Sequence, residues 1–202
     1  MIGIADRMLA VHDALREAGF PHAIGGAIAL GYCTIEARGT QDVDVNVFVH
    51  PSRTREVLAA LPEGVRVRGQ DVDDAERDGQ VRVMWDETAI DLFFSVLPLH
   101  DEVERNVRHV AFGDRTIPVL DCTGLAVFKA MFGRPRDWVD IEAMIEARSL
   151  DVDEATRLIR EMVGEGEDPR IERLAELRSD RRSQAEPPPE RWHPRRDSGD
   201  AP

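Results

Sequence analysis

The chain has 202 residues, 42% hydrophobic and 32% charged, an ordinary composition for a folded domain and unlike a disordered one. A net charge of −13 repels phosphate backbones and argues against a dedicated nucleic-acid-binding module, though not against an enzyme that touches one nucleic-acid end through a basic pocket. No apolar run approaches the roughly 20 residues that span a bilayer. The first stretch mixes acids and bases from residue 5 onward, unlike a signal peptide, so a cytoplasmic protein is expected. Two cysteines, Cys33 and Cys122, cannot form a disulfide framework and lack metal-ligand spacing, so both are expected as free thiols.

In chain order, residues 3 to 18 carry Ile4, Met8, Val11 and Leu15 at helical spacing and stop at Gly19, a C-cap residue. His22 to Ile24 reads as a short strand that meets Gly25-Gly26, with a short helix from Ala27 to Cys33 beyond. Asp42 to Val49, DVDVNVFV, is the clearest alternation: its valines face one side and Asp42, Asp44 and Asn46 the other. Ser52 is placed to cap a helix reaching about Leu61. Strands are expected over Gln80 to Trp85 and Ala89 to Val96, joined at Asp86-Glu87. A short helix near His100 to Arg105 leads to a hairpin, Val107 to Phe112 and Thr116 to Leu120, turning at Gly113-Asp114. Beyond Cys122 the pattern is helical, over about 122 to 132, 137 to 147, 153 to 163 and 168 to 181. The division is therefore a mixed αβ part (1–121), a helical part (122–182) and a proline- and charge-rich tail (183–202) expected to be disordered.

Three features carry chemistry. Gly25-Gly26 joins a strand to a helix, a turn where backbone N–H groups approach a phosphate, or else simply a tight bend. Asp42 and Asp44 project from one strand face about 6.5 Å apart at Cα. They read either as divalent-cation ligands or as a solvated acidic face. Asp91 lies in the apolar strand AIDLFFS, on the face opposite to Ile90 and Leu92. If that strand pairs beside the first, Asp91 joins Asp42 and Asp44 in a two-metal carboxylate set suited to phosphoryl transfer.

Gly25-Gly26, then Arg38-Gly39-Thr40-Gln41-Asp42-Val43-Asp44, then Asp91 resembles the nucleotidyltransferase superfamily related to DNA polymerase beta. The R-G-T-x-D-x-D form, with Lys129 and then Arg136-Asp137-Trp138-Val139-Asp140, looks like the AbiEii/MenT group of toxin–antitoxin nucleotidyltransferases. The resemblance covers about residues 20 to 148. It implies an α/β (α+β) nucleotidyltransferase fold, a mixed sheet with flanking helices and a C-terminal helical subdomain. One departure is Ala27, where the superfamily often has serine after the glycine.

The resemblance further implies Mg²⁺- or Mn²⁺-dependent transfer of a nucleoside monophosphate from an NTP such as ATP to an acceptor, the 3′ end of a tRNA, with a cognate antitoxin as partner. Asp42, Asp44 and Asp91 would hold metal, with Asp91 near the acceptor hydroxyl. Gly25, Gly26, Arg38, Thr40, Lys129 and Arg136 would meet the nucleotide, and Asp140 would orient Lys129 or Arg136. On the residues alone, Lys129 equally suits a snorkelling lysine, Asp137 suits a helix N-cap, and Thr40 or Arg38 a partner of Asp42. Two rival functions stand beside this: an aminoglycoside-type nucleotidyltransferase with a small cationic acceptor, and a catalytically silent nucleotide- or partner-binding subunit.

Overall fold

The computed structural model describes residues 3–36, 38–164 and 166–184. Helix α1 (Ile4–Glu17) buries Met8, Val11 and Leu15 completely and ends at Gly19, whose φ of +75° reverses the chain. Strand β1 (His22–Ile24), wholly buried, runs into α2 (Gly26–Leu30), which starts one residue and ends three residues earlier than the pattern indicated. In β2 (Asp42–Val47) the three valines are fully buried while Asp42 and Asp44 are not, as the alternation requires.

After β2 the chain departs from expectation. Ser52 caps nothing: Pro51–Arg53 is a 3-10 turn, the His50 ring accepts the Ser52 N–H, and α3 runs Thr54–Ala60. Pro51 sets that turn, since its fixed φ suits a helical first position. The stretch after α3 forms β3 (Val65–Arg66) and α4 (Gly69–Asp78), neither of them expected; α4 buries only Asp71, Val72 and Ala75 and so shows no apolar stripe. Strands β4 (Gln80–Trp85) and β5 (Thr88–Phe94) follow, then α5 (Leu99–Arg105) and the hairpin β6 (Arg108–Phe112) and β7 (Arg115–Val119). Four helices complete the described chain: α6 (Cys122–Phe132), α7 (Pro135–Glu146), α8 (Val152–Val163) and α9 (Pro169–Gln184). The tail expected to be disordered lies outside the described residues from 185 on.

The seven strands form one mixed sheet in the order β3-β4-β5-β2-β1-β7-β6. Two neighbour pairs are parallel, β2 with β5 and β1 with β7, and the rest antiparallel. One hydrophobic cluster joins the sheet to α6, α7 and α8, through residues such as Leu92, Val127, Ile141 and Ile159.

The cysteines correct the expectation of free thiols. Cys33, three residues beyond α2, is bonded to Cys122, the first residue of α6. Packing of α2 against α6 brings their Cα atoms to 5.5 Å, inside the range a disulfide spans. Eighty-nine residues separate them, so spacing gave no sign of the bond. Among the described residues no helix is long and apolar enough to cross a membrane.

Candidate active site

The parallel register of β2 and β5 sets Asp44 directly opposite Asp91 and Asp42 opposite Ala89. Both strands alternate in step, so the three carboxylates share the polar face of the sheet. Burial, then the charges of Asp91 and Asp42, push the Asp44 carboxyl up from 3.8 to about 6, against the smaller pull of Lys129 and Arg134. The pair Gly25-Gly26 closes on the same group. The Gly25 N–H donates to the Asp44 carbonyl at 2.8 Å. A Cβ on Gly26 would lie 1.7 Å from Asp44 Oδ2, and its φ is +52°, so only glycine fits there.

Arg82 on β4 went unnoticed in the sequence. It stands opposite Asp91, donates to both of its oxygens at 2.7 Å, and reaches within 3.7 Å of Asp42. Its signal was there in the alternation of Gln80, Arg82 and Met84, which places Arg82 on the polar face next to the carboxylate strands.

A second cluster forms on the helices. Lys129 is 6% exposed, too buried to be snorkelling, and its ammonium donates to Asp140 Oδ2 at 2.6 Å with Asp137 Oδ1 at 3.7 Å. Arg38 donates to both Asp140 oxygens, at 3.3 and 3.0 Å. Burial alone would raise the Asp140 carboxyl; the hydrogen bonds from Arg38 and Lys129 outweigh it and hold the group below the usual carboxylate range. Asp137 is not the N-cap. The helix opens at Pro135, and Asp137, in the third position, accepts the Arg134 N–H at 3.1 Å and its guanidinium at 2.7 Å. Thr40 binds the backbone of Asp42, donating to its carbonyl and accepting its N–H.

A cavity of about 860 Å³ opens between the sheet face and α6. Gly26, Asp44, Asp91, Lys129, Arg82 and Arg134 line it; Gly25, Arg38, Thr40, Asp42, Arg136 and Asp140 stand outside the lining. Arg136 is exposed on the first turn of α7. Among the described residues no three Asp, Glu, His or Cys side chains are set to hold an ion as they stand. The donor chemistry nonetheless suits a divalent cation: three carboxylates on adjacent strands, with the Arg82 guanidinium already serving as the counter-cation.

The fold is shared with solved structures. The solution structure of the antibiotic-resistance factor ANT(2'')-Ia superposes with a TM-score of 0.50 at 17% identity, over 89% of this chain and 91% of that one. An antigenic nucleotidyltransferase-like protein from Paracoccidioides brasiliensis gives 0.51 at 14% identity, over 88% of each chain. No curated protein sequence matches the chain. The family described as nucleotidyl transferase AbiEii toxin, type IV toxin–antitoxin system, matches residues 13–201, which takes in both the carboxylate strands and the helices carrying Lys129 and Asp140. The chain thus belongs to the AbiEii family and is a nucleotidyltransferase.

Proposed function

We propose that the protein moves a nucleoside monophosphate from an NTP to an acceptor hydroxyl with the help of Mg²⁺ or Mn²⁺, breaking the α–β phosphate bond and releasing pyrophosphate, the acceptor being the 3′ end of a tRNA, as the toxin of a toxin–antitoxin pair. The observation that carries this reading is the register of Asp44 against Asp91, with Asp42 two residues earlier on the same face. Divalent cations held by these carboxylates would neutralise charge on the transferring phosphoryl group. Asp91 faces the acceptor hydroxyl and helps draw off its proton. The turn at Gly25-Gly26 brings backbone N–H groups close to the phosphates, and Lys129 and Arg134, both in the cavity wall, meet the triphosphate as charge-assisted donors. In this reading residues 1–121 are the catalytic core and 122–182 a helical subdomain that lays Lys129 against it. Arg38, Thr40 and Asp140 act one step back: Asp140 and Arg38 orient Lys129, and Thr40 fixes the start of β2.

The cavity wall does not single out a cationic acceptor. Five aspartates line it against four arginines and Lys129, so the lining is balanced in a chain of net charge −13. The acids on its α4 rim are already taken, Asp71 by Arg68 and both Asp74 and Asp78 by Arg77. That leaves little unpaired acid for an aminoglycoside-type amine. Incubating the protein with each labelled NTP, total tRNA and Mg²⁺ tests the proposal: label is expected on tRNA and none with EDTA. Label on an aminoglycoside instead would move the chain to the small-molecule reading, and label on neither to a silent binding subunit.

A further inference from the structure

The sheet face carries a second row of side chains beside the carboxylates. Arg82, Asp91 and Asp44 stand in register across β4, β5 and β2; two residues along, Gln80, Phe93 and Asn46 do the same. A two-residue step is about 6.5 Å along a strand, and both rows point to the same face. All six residues line the cavity. The rows differ in character, the first ionic and the second an aromatic ring between two amides.

Asn46 is the telling member. It is 6% exposed and lines the cavity, yet its side-chain amide has no hydrogen-bond partner among the described residues. An amide carries two donors and an acceptor, and here no protein group among the described residues takes them, so they are presented to the cavity for a ligand to meet. The opposite wall is aromatic. Phe132, at the end of α6 and 47% exposed, meets the Phe93 ring edge-on at 5.8 Å between centroids. The Arg134 guanidinium lies 5.1 Å from the centre of the Phe132 ring. A half-exposed phenylalanine at the mouth of a cavity presents apolar ring surface to a flat ligand. Lys129 stands one helical turn before it, at the phosphate end.

We propose that this second row is the seat of the nucleobase of the NTP, stacked against Phe93 and Phe132, with the Asn46 amide reading its hydrogen-bonding edge. The inference rests on the donor-nucleotide reading above and adds to it the residues that choose among bases. The geometry agrees: with the α-phosphate at the Asp44–Asp91 row, one sugar separates the reacting atom from the base, and one two-residue step of about 6.5 Å separates the carboxylates from Asn46 and Phe93.

Calorimetric binding of tripolyphosphate and of non-transferable α,β-methylene analogues of the four NTPs, in Mg²⁺, tests it. The wild-type protein should bind the analogues more tightly than tripolyphosphate and prefer one base. Phe132→Ala, half-exposed and therefore safe for folding, should weaken all four analogues by about tenfold with tripolyphosphate unchanged. Asn46→Ser should flatten the preference among bases by about tenfold, again with tripolyphosphate unchanged, in a protein whose melting curve remains cooperative. Analogues that bind no better than tripolyphosphate, or a base preference that survives Asn46→Ser, would overturn the seat while leaving the donor reading in place. A loss confined to the KM for tRNA would also overturn it and give the row to the acceptor. If wild-type protein bound neither tripolyphosphate nor any analogue, the donor reading itself would fall and this inference with it.

Discussion

The two charged clusters of this protein are built on opposite terms. On the sheet face, Asp42, Asp44 and Asp91 gather like charges that the fold satisfies incompletely, and burial, helped by those charges, holds the Asp44 proton up to about pH 6. On the helices, Lys129, Asp137, Asp140, Arg38 and Arg134 pair one with another until every charge has a partner. The first cluster stores repulsion that, in the proposed reading, a cation would relieve; the second spends its charges on holding α6, α7 and the segment before β2 together. Lys129 belongs to both accounts, facing the cavity while bound to Asp140.

The contrast can be tested, beginning with the link between the clusters. The Cys33–Cys122 bond ties the end of α2, beside the carboxylates, to the start of α6, which carries Lys129. Closing a loop of that length is worth about 4 kcal/mol by chain entropy. Cys33→Ala with Cys122→Ala should lower Tm by about 10 °C, read by calorimetry without reductant. Equal Tm values for the double variant and the wild type would show that packing alone joins the two halves.

Next, Lys129→Met should destabilise the fold by about 3 kcal/mol, because it strands the buried Asp140 with Arg38 as its remaining partner. Lys129→Met combined with Asp140→Leu should regain at least part of that loss in urea unfolding. A neutral Lys129→Met would show that the pair is not holding the helices together.

The sheet face should answer in the opposite way. Asp44→Ala should cut transfer by about 100-fold or more, read as label incorporated per minute, while leaving the metal-free fold as stable as the wild type or more so. Substantial transfer by Asp44→Ala would remove the carboxylates from the chemistry.

The smallest effect is a pH signature. The folded protein keeps the Asp44 proton to about pH 6, whereas the unfolded chain releases it near 3.8, so between these values the folded state binds more protons and stability falls as pH rises. In EDTA, Asp44→Asn should melt a few degrees above the wild type at pH 7.5, with the gap closing by pH 4. A gap that does not change with pH would mean that Asp44 is solvated after all.

The same contrast explains what could be read from the sequence. The carboxylate face was legible because its information is local: Asp42 and Asp44 alternate with buried valines, and Asp91 is a lone acid in an apolar strand. Only the β2–β5 register had to be supplied by the fold. The helical cluster was legible through family likeness, but its wiring was not, because Arg38 and Asp140 are 102 residues apart. The disulfide was hidden for the same reason. Helix α4 escaped notice because it buries so few apolar residues, and Arg82 because an arginine on a strand looks like ordinary surface until its neighbours are known. Asn46 was seen as part of the polar face, but that its amide faces the cavity with no protein partner among the described residues shows only in three dimensions.

The strand order has a consequence for the protein during its own synthesis. Strand β1 sits inside the sheet and pairs with β7 through Ile24 and Val119. The ribosome must add 95 further residues after Ile24 before that partner exists, which at ordinary elongation speed is a delay on the order of 5–20 seconds. Lys129 and Asp140 come later still. Throughout that interval the emerging chain carries Asp42, Asp44 and Asp91 without the wall that completes the cavity. If nucleotide is used at the proposed site, a nascent or truncated product lacks that site, and activity would begin only as the last part of the domain leaves the ribosome.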